Sequence, residues 1–434
     1  MNQFPGATSV ADDMVQPRPV SHLRSLIASG AGNLLEWFDW TVYTVASVYI
    51  AAALFDKTDR MSSLLNTLAV FAAGFFARPL GGIVFGAMAD RLGRRAVLLS
   101  TMLMMAFASL LIAAIPSYDA IGGWASAALL LARLVQGAAH GGETTASYAY
   151  VAEIAPPERR GLWSSAVFLS VGAGSLIATF LMAFLTAALS AEQMQQWGWR
   201  VPFAAGGLLA GFALWLRRNM VESIEEACAP KHHVQPWSRG KLFKEGIKLF
   251  TYEAGSTLTY YTWVSSAAIY AISVRHMNPH DAFTMSCIAQ VVYLAALPAI
   301  GRLSDFIGRK VTTLISLIGI AITIFPLWGM ISAAPWTLLV AQTIGLVLVG
   351  FITGAKPAAI SEQVPTRYRT KLFGFFISLA VAFFGGTASY FSTWLAASDK
   401  AWLFNVYLIV IALIASAVVF NWKNNTGKPM GDIE

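Results

Sequence analysis

The chain has 434 residues, of which 56% are hydrophobic and 12% charged, and its formal net charge at pH 7 is +7. Soluble domains carry roughly 25% charged residues, so this composition excludes a soluble domain and predicts an integral membrane protein. The basic residues lie in short loops between apolar runs, a distribution that the positive-inside rule explains better than nucleic-acid binding does. The two cysteines, Cys228 in a polar loop and Cys287 in an apolar run, predict free thiols.

The chain begins with a polar tail over residues 1–24, which has no continuous apolar stretch of the kind found in a signal peptide. Apolar runs that can cross about 30 Å of hydrocarbon, roughly 20 residues each, follow in two sets of six. They lie near 25–54, 63–89, 96–115, 124–154, 162–188 and 200–217, and then near 245–273, 282–302, 310–331, 336–363, 371–396 and 401–421.

This pattern predicts an all-α integral membrane protein with twelve transmembrane helices in two pseudo-symmetric six-helix bundles. The bundles cover 25–217 and 245–421, joined by a linker over 218–244 and followed by a tail over 422–434. With this topology 22 lysines and arginines fall on the side of the tails and the linker, five on the opposite side and three within spans. Both termini are therefore predicted in the cytoplasm, with the helices in the inner membrane.

One motif ends the second predicted span and returns at the end of the eighth. GGIVFGAMADRLGRR at Gly81–Arg95 is echoed by LPAIGRLSDFIGRK at Leu297–Lys310, so that Asp90 corresponds to Asp305. A parallel repeat in an apolar chain indicates a transporter built from two related bundles.

A second motif, Glu-x-x-Pro-x-x-x-Arg, also occurs twice. It joins Glu153 to Arg160 and, 209 positions later, Glu362 to Arg369. The offset is close to half of the 434 residues, which supports the same division into halves.

Together with Arg133-x-x-Gln136-Gly137 in the fourth span, these motifs resemble the major facilitator superfamily over nearly the whole chain. Within it, GNLLEWFDW (Gly32–Trp40), FAARPLGG (Phe75–Gly82) and WGWRVPF (Trp197–Phe203) are similar to the metabolite:proton symporter group. That group is known for 2-oxoglutarate, citrate, shikimate, aromatic acids and proline/betaine. The fifth span, SVGAGSLIATF, lacks the Gly-Pro pair of drug:proton antiporters, which favours symport over efflux.

The resemblance implies a gate at the cytoplasmic mouth. In transporters of this superfamily the aspartate of the first motif contacts an arginine of its own loop and the start of the eleventh helix, here expected near Lys371. A helix N-terminus favours such a carboxylate. The residues assigned to the gate are Asp90, Arg91, Arg94, Glu153, Arg160, Asp305, Arg309, Glu362 and Arg369, with Asp305 and Arg309 expected to act against the fifth helix.

Glu36 and Asp39 lie near the middle of the first span, where a charged side chain costs about 2.5–3.5 kcal/mol. A carboxyl group in a low dielectric takes up a proton more readily than in water. We predict that this pair couples transport to protons, and Glu36 is the stronger candidate because Asp39 lies deeper towards the periplasmic half. The alternative is that either carboxylate is a structural partner of a buried arginine.

Arg78 is a fixed cation at mid-depth in the second span, which is what a carboxylate substrate requires. The alternative is permanent neutralisation by Glu36 or Asp39. In the fourth span Arg133, Gln136, Gly137 and His140 follow the spacing i, i+3, i+4, i+7, which predicts that they face one cavity together. We assign Arg133 and His140 to proton coupling, and these two with Gln136 to substrate binding. A packing role is the alternative for His140.

The second bundle offers Lys356, the basic residue well inside a span there, and Glu253 in the seventh span. Lys356 is predicted to bind a second carboxylate, or else to extend its amine to the cytoplasm. Tyr260 and Tyr261 are predicted to stack on a planar substrate, with simple packing as the alternative.

We therefore predict a monomeric inner-membrane transporter that imports a small di-, tri- or aromatic carboxylate with protons by alternating access. The proton gradient is its driving force, and no cofactor, metal or nucleic acid is expected. The sequence shows no metal-ligand spacing and no phosphate-binding glycine loop that would indicate an enzyme. The alternatives are an osmolyte importer of the proline/betaine type, whose members usually carry long C-terminal extensions, a drug:proton efflux pump, and a sensor with the same fold.

Overall fold

The computed structural model describes residues 22–92, 94–141, 143–218 and 237–433, and every long element within these ranges is helical. Twelve helices are numbered in chain order. They are α1 (His22–Leu54), α2 (Arg60–Leu92), α3 (Arg94–Ala114), α4 (Gly123–Ala139 and Glu143–Ile154), α5 (Arg160–Ala188), α6 (Val201–Arg218), α7 (Arg239–Tyr261, Thr262–Ser266 and Ala267–Ser273), α8 (Pro279–Ile307), α9 (Arg309–Met330), α10 (Pro335–Thr353 and Lys356–Ser361), α11 (Thr366–Ala397) and α12 (Ala401–Phe420).

In the described part of the chain, seven segments are long and apolar enough to cross a membrane by length and composition. They lie in α2, α5 and α8 to α12, and the other five helices pack beside them. The prediction of an all-α fold with twelve helices is confirmed.

The helices form two bundles whose internal contacts correspond. In the first bundle α1 packs along α5, α2 along α4 and α3 along α6, and in the second α7 packs along α11, α8 along α10 and α9 along α12. The bundles meet where α5 lies against α8 and α2 against α11. Each contact in one bundle thus has its counterpart in the other, as expected for two repeats of one unit.

The two ends of the molecule are named by their contents. The motif end carries Arg160, Glu362 and the loop after α8, whereas the far end is where α1 ends and α2 begins. At the far end a small apolar cluster from both bundles, made of Ala51, Leu64, Leu68 and Ile269, closes the interface.

Two predicted helix starts differ most from the structure. Helix α7 begins at Arg239 and not at 245, because Ser238 caps it: its Oγ accepts a hydrogen bond from the Lys241 backbone N–H at 3.2 Å. Helix α11 begins at Thr366 and not near Lys371. In both cases the first turn is charged, so a search for apolar runs excluded it. Residues 219–236 of the predicted linker and 1–21 of the predicted N-terminal tail lie outside the described residues.

Helix α4 is broken where the sequence predicted a continuous span. Its first part ends at Ala139, and His140 follows with φ −80° and ψ 0°. Gly141 then lies so close to α2 that a Cβ there would be 2.5 Å from the Arg78 carbonyl oxygen. The break places His140 at the helix end, where its backbone N–H still donates to the Gln136 carbonyl oxygen at 3.1 Å.

Close packing of α2 against α4 depends on glycine at Gly137, because a Cβ there would overlap the carbonyl oxygen of Gly74. We expect Gly137→Ala to destabilise the purified protein by about 1–3 kcal/mol or more through overpacking. Thermal unfolding in detergent measures this as a lower Tm. Gly329→Ala is the matched control, since a Cβ at Gly329 in α9 meets nothing within 4 Å. Equal Tm values for the two variants would contradict the expectation.

Candidate functional site

A cavity of about 50 Å³ lies between the two bundles, enough for a few water molecules. Both bundles contribute to its wall. The lining residues are Trp37, Arg78, His140, Tyr148 and Phe168 from the first bundle, and Glu253, Thr257, Tyr260, Tyr261, Thr353, Lys356, Ile377, Ser378 and Val381 from the second.

Three of the predicted site residues meet on the first-bundle side of the cavity. The Arg78 Nη2 atom lies 3.2 Å from Glu36 Oε1, and His140 Nδ1 lies 3.7 Å from the same oxygen. The carboxyl group of Glu36 is fully buried, so its charge depends on these neighbours. Protonation of this carboxylate would release a cation onto the cavity wall.

Aromatic rings fix the position of the Arg78 guanidinium. Its Cζ atom lies 4.3 Å from the centroid of Trp40 and 4.7 Å from that of Phe75. Stacking of a planar cation on two rings holds it beside Glu36, and Nε has no hydrogen-bond partner among the described residues. Nε is therefore a donor available to a carboxylate, while Nη2 faces Glu36.

Asp39 belongs to a separate network inside the first bundle. Its oxygens accept hydrogen bonds from Ser109 Oγ at 2.5 Å and Gln136 Nε2 at 2.8 Å, and Arg133 Nη1 lies 3.7 Å away. Arg133 also donates to Gln136 Oε1 at 2.7 Å. The carboxylate is held by three neighbours and lies behind the cavity wall.

The predicted common face of Arg133, Gln136, Gly137 and His140 is therefore split. Among these four, His140 lines the cavity, whereas Arg133 and Gln136 are fully buried behind it and Gly137 packs on Gly74. The guanidinium of Arg133 stacks instead on Trp40 and Tyr43. The prediction that Arg133 and Gln136 face the cavity is wrong for this conformation, because they lie two turns and one turn before His140 on α4, where the ring of Trp40 and the Asp39 network bury them.

Lys356 faces the cavity from the second bundle. Its Nζ atom lies 2.7 Å from Glu253 Oε1, and the residue is buried, so the predicted extension of the amine to the cytoplasm does not occur. The same amine lies 5.9 Å from the ring of Tyr148 and 5.7 Å from that of Phe168, both in the first bundle. Sequence reasoning placed Glu253 in the seventh span but did not assign it to the site, although an acidic residue in an apolar run was the available signal.

The predicted aromatic cluster lines the cavity beside these charges. Trp37 lies 5.3 Å from Tyr260 and 5.8 Å from Tyr261 between ring centroids, so the rings of α1 and α7 meet across the bundle interface. The rings both pack on each other and face the cavity.

At the motif end, a buried ion cluster joins the bundles. Glu362 of α10 accepts hydrogen bonds from Arg160 Nη1 of α5 at 2.9 Å and from Arg309 Nη2 of α9 at 3.3 Å. In the corresponding contact, Arg369 Nη1 of the second copy lies 3.0 Å from Glu153 of the first copy. Each arginine of the repeated motif therefore pairs with the glutamate of the other copy.

The second copy of the other motif reaches helix α5. Asp305 accepts hydrogen bonds from the backbone N–H groups of Gly161 at 2.8 Å and Leu162 at 3.1 Å, and its Oδ1 lies 2.9 Å from Arg309 Nη1. A carboxylate at a helix N-terminus is stabilised there. The side chains of Asp90, Arg91 and Arg94 lie outside the described residues.

The segment after α12 packs on this cluster. Asn425 Nδ2 donates to the Glu362 carbonyl oxygen at 2.7 Å, and Arg160 Nη2 donates to the Lys428 carbonyl oxygen at 2.9 Å. The sequence predicted only a polar tail here, since nothing in its composition indicates a docking site.

The bundles thus contact each other at both ends, through the ion cluster at the motif end and the apolar cluster at the far end. At the far end His280 Nδ1 also lies 3.1 Å from the Ala183 carbonyl oxygen. The cavity lies between two closed ends, as in an occluded state of a transporter.

The chain is similar to known proteins over most of its length. The family model described as Major Facilitator Superfamily matches residues 30–376. The alpha-ketoglutarate permease of Escherichia coli (strain K12) is 33% identical over 400 residues, which cover 91% of this chain and 92% of that protein. The citrate-proton symporter of Klebsiella pneumoniae is 32% identical over 393 residues, covering 88% and 87%. A protein of Staphylococcus haemolyticus (strain JCSC1435) named for proline/betaine transport is 32% identical over 413 residues, covering 91% and 85%.

Among solved structures, the crystal structure of a D-xylose-proton symporter matches with a TM-score of 0.73. The match covers 94% of this chain and 99% of that chain at 18% sequence identity. At this identity the likeness shows the fold, and it supports the division into two six-helix bundles.

Proposed function

The chain belongs to the major facilitator superfamily, as its motifs predicted, and on this basis we propose that it imports a small organic anion together with protons. The observation that carries the proposal is the position of Arg78, a buried cation on the cavity wall whose counter-charge is the equally buried Glu36. An anion that enters the cavity meets a preformed carboxylate site once Glu36 is neutral.

Proton coupling follows from competition for Arg78. While Glu36 is ionised, its carboxylate occupies the cation, and bringing a substrate carboxylate to the same cation would place two negative charges together in a low dielectric. A proton on Glu36 removes this conflict. We infer that His140, 3.7 Å from the Glu36 oxygen, passes the proton to that carboxylate. Asp39 was predicted to share the coupling role, but the hydrogen bonds it accepts from Ser109 and Gln136 support a role in holding Arg133 and Gln136 in place instead.

Alternating access follows from the two closed ends. The motif end is proposed to face the cytoplasm, in line with the distribution of lysine and arginine, so that opening of the Arg160–Glu362 pair releases substrate inside the cell. The protein is proposed to act as a monomer in the inner membrane, with both termini in the cytoplasm.

A zwitterionic osmolyte is the second candidate, favoured by the aromatic rings of Trp37, Tyr260 and Tyr261 on the cavity wall. Rings of this kind bind quaternary ammonium groups, with about 0.5–2 kcal/mol for each cation–π contact. The relatives named for proline/betaine transport add to this candidate.

Proton movement in reconstituted vesicles distinguishes the two candidates. We expect external alkalinisation when 2-oxoglutarate, citrate, shikimate or a phthalate-type acid is added. In Glu36→Gln we expect fewer protons to move per substrate taken up, because an amide binds no proton at neutral pH. Asp39→Asn is the comparison variant: it perturbs a buried network but leaves Arg78 and Glu36 in contact, so any transport that remains is expected to stay proton-coupled. A response to betaine but to no acid would overturn anion import.

A further inference from the structure

The cavity carries two ion pairs of the same construction, one on each bundle. Arg78 and Glu36 form the pair of the first bundle, and Lys356 and Glu253 form the pair of the second. Each cation lines the cavity, and each carboxylate is at most 1% exposed. The proposed function uses the first pair for proton coupling and leaves Glu253 without a role.

Glu253 has the features of a second proton-accepting group. Its Oε1 atom accepts hydrogen bonds from Lys356 and from Thr257, whereas its buried Oε2 atom has no hydrogen-bond partner among the described residues. A buried carboxylate oxygen without a donor is costly while it is charged. A proton on this oxygen would remove that cost.

The titratable groups around Glu253 come from three helices. Lys356 approaches from α10, Tyr252 flanks it on α7, and Tyr148 approaches from α4 of the first bundle. Tyr148 is within electrostatic range of Glu36 as well. The lysine is the full positive charge in this set, so it is the group whose freedom depends on the charge of Glu253.

The charges of the two pairs set the number of protons that a dianion requires. With both glutamates ionised the two pairs sum to zero, and a bound dianion alone would leave two negative charges in a buried site. Two protons, one on each glutamate, return the sum to zero and free both cations. Each substrate carboxylate then replaces one protein carboxylate on one cation.

We propose that Glu253 is a second proton-carrying residue and that the site takes a dicarboxylate with two protons, one carboxylate on Arg78 and the other on Lys356. This inference rests on the proposed anion import and extends it to a substrate class and a stoichiometry. Because Arg78 belongs to the first bundle and Lys356 to the second, a bound dianion joins the two bundles. The loaded and empty sites carry the same charge, so transport is electroneutral.

Glu253→Gln tests the second proton, with 2-oxoglutarate as the dianionic probe. Calorimetric titration of purified protein in detergent is expected to show the Kd of the wild type rising about 100-fold per pH unit above the range in which both glutamates are protonated, and that of Glu253→Gln about 10-fold. In vesicles the wild-type flux is expected to be independent of a clamped membrane potential. The variant moves one uncompensated negative charge, so an interior-negative potential slows its uptake.

Glu245→Gln is the matched control, because Glu245 pairs with Lys248 on the same helix at 2.8 Å but is only partly buried and does not line the cavity. It is expected to keep the two-proton slope. If Glu253→Gln binds 2-oxoglutarate but does not transport it, the change of its Kd with pH still tests the inference. A two-proton slope retained in Glu253→Gln would overturn the inference and leave the proposed function standing. If the wild type binds no carboxylate, the proposed function fails, and the inference fails with it.

Discussion

Replacing Glu362 with glutamine is expected to open the motif end and to shift the protein towards the inward-facing state. The carboxylate lies between Arg160 and Arg309 and is fully buried, so its loss leaves two guanidinium groups without their shared counter-charge. Removing one partner of a buried pair costs about 3–5 kcal/mol, which corresponds to a change of roughly 100- to 1,000-fold or more in an equilibrium. This cost applies to the conformation in which the motif end is closed, because Arg160 belongs to the first bundle and Glu362 to the second.

Access to the cavity measures this shift. A cysteine introduced as Thr353→Cys on the cavity wall, in a background with Cys228 and Cys287 replaced by serine, is expected to react faster with an impermeant thiol reagent applied from the motif end. Arg302→Gln is the control, because the half-exposed Arg302 makes only long polar contacts with the described residues at this end, 3.9 Å to Asp305 and 3.4 Å to the Glu158 carbonyl oxygen. Equal labelling rates with and without Glu362→Gln would exclude the cluster as a gate.

Arg78→Ala is expected to abolish carboxylate uptake, by about 100-fold or more in kcat/KM. Two losses add here: the substrate carboxylate loses a charge-assisted partner worth about 1.5–3 kcal/mol, and Glu36 loses the cation that stabilises its charge. Arg78→Lys is expected to retain part of the activity, since it keeps the charge but loses the planar stacking on Trp40 and Phe75.

Initial uptake rates and substrate affinity are to be measured together with the Tm of each variant, which separates loss of binding from loss of fold. Arg275→Ala is the control, because this arginine is exposed at the far end, over the ring of Tyr270. Unchanged carboxylate affinity in Arg78→Ala would refute the binding role of this residue.

The sequence identified the charged groups in the membrane more reliably than their partners. An ionisable residue in an apolar run can be recognised from the sequence alone. Glu36, Arg78 and Lys356, found in this way, all lie on or beside the cavity. Their pairings required contacts between helices far apart in the chain. Glu253 illustrates this, since its partner Lys356 follows 103 positions later.

The fourth span shows what helical periodicity leaves undecided. Spacing predicts which residues share a side of a helix, but not how deep along the helix the cavity lies. His140, at the end of the first part of α4, lines the cavity, whereas Arg133 and Gln136, two turns and one turn earlier, are buried behind the wall. Gly141 permits the close approach of α4 to α2. This contact joins residues far apart in the chain, so local sequence patterns do not predict it.

The number of helices, their division into two repeats and the positions of the buried charges were determined by the sequence alone, because hydropathy and motif spacing are local properties of the chain. Tertiary structure decided which charges meet. Two copies of a motif in the sequence predict two similar sites, each within its own copy. In the fold, each arginine pairs with the glutamate of the other copy, Arg160 with Glu362 and Arg369 with Glu153. The physical reason is that an ion pair requires two groups within about 4 Å, and only the packing of one bundle on the other brings residues some 200 positions apart to that distance.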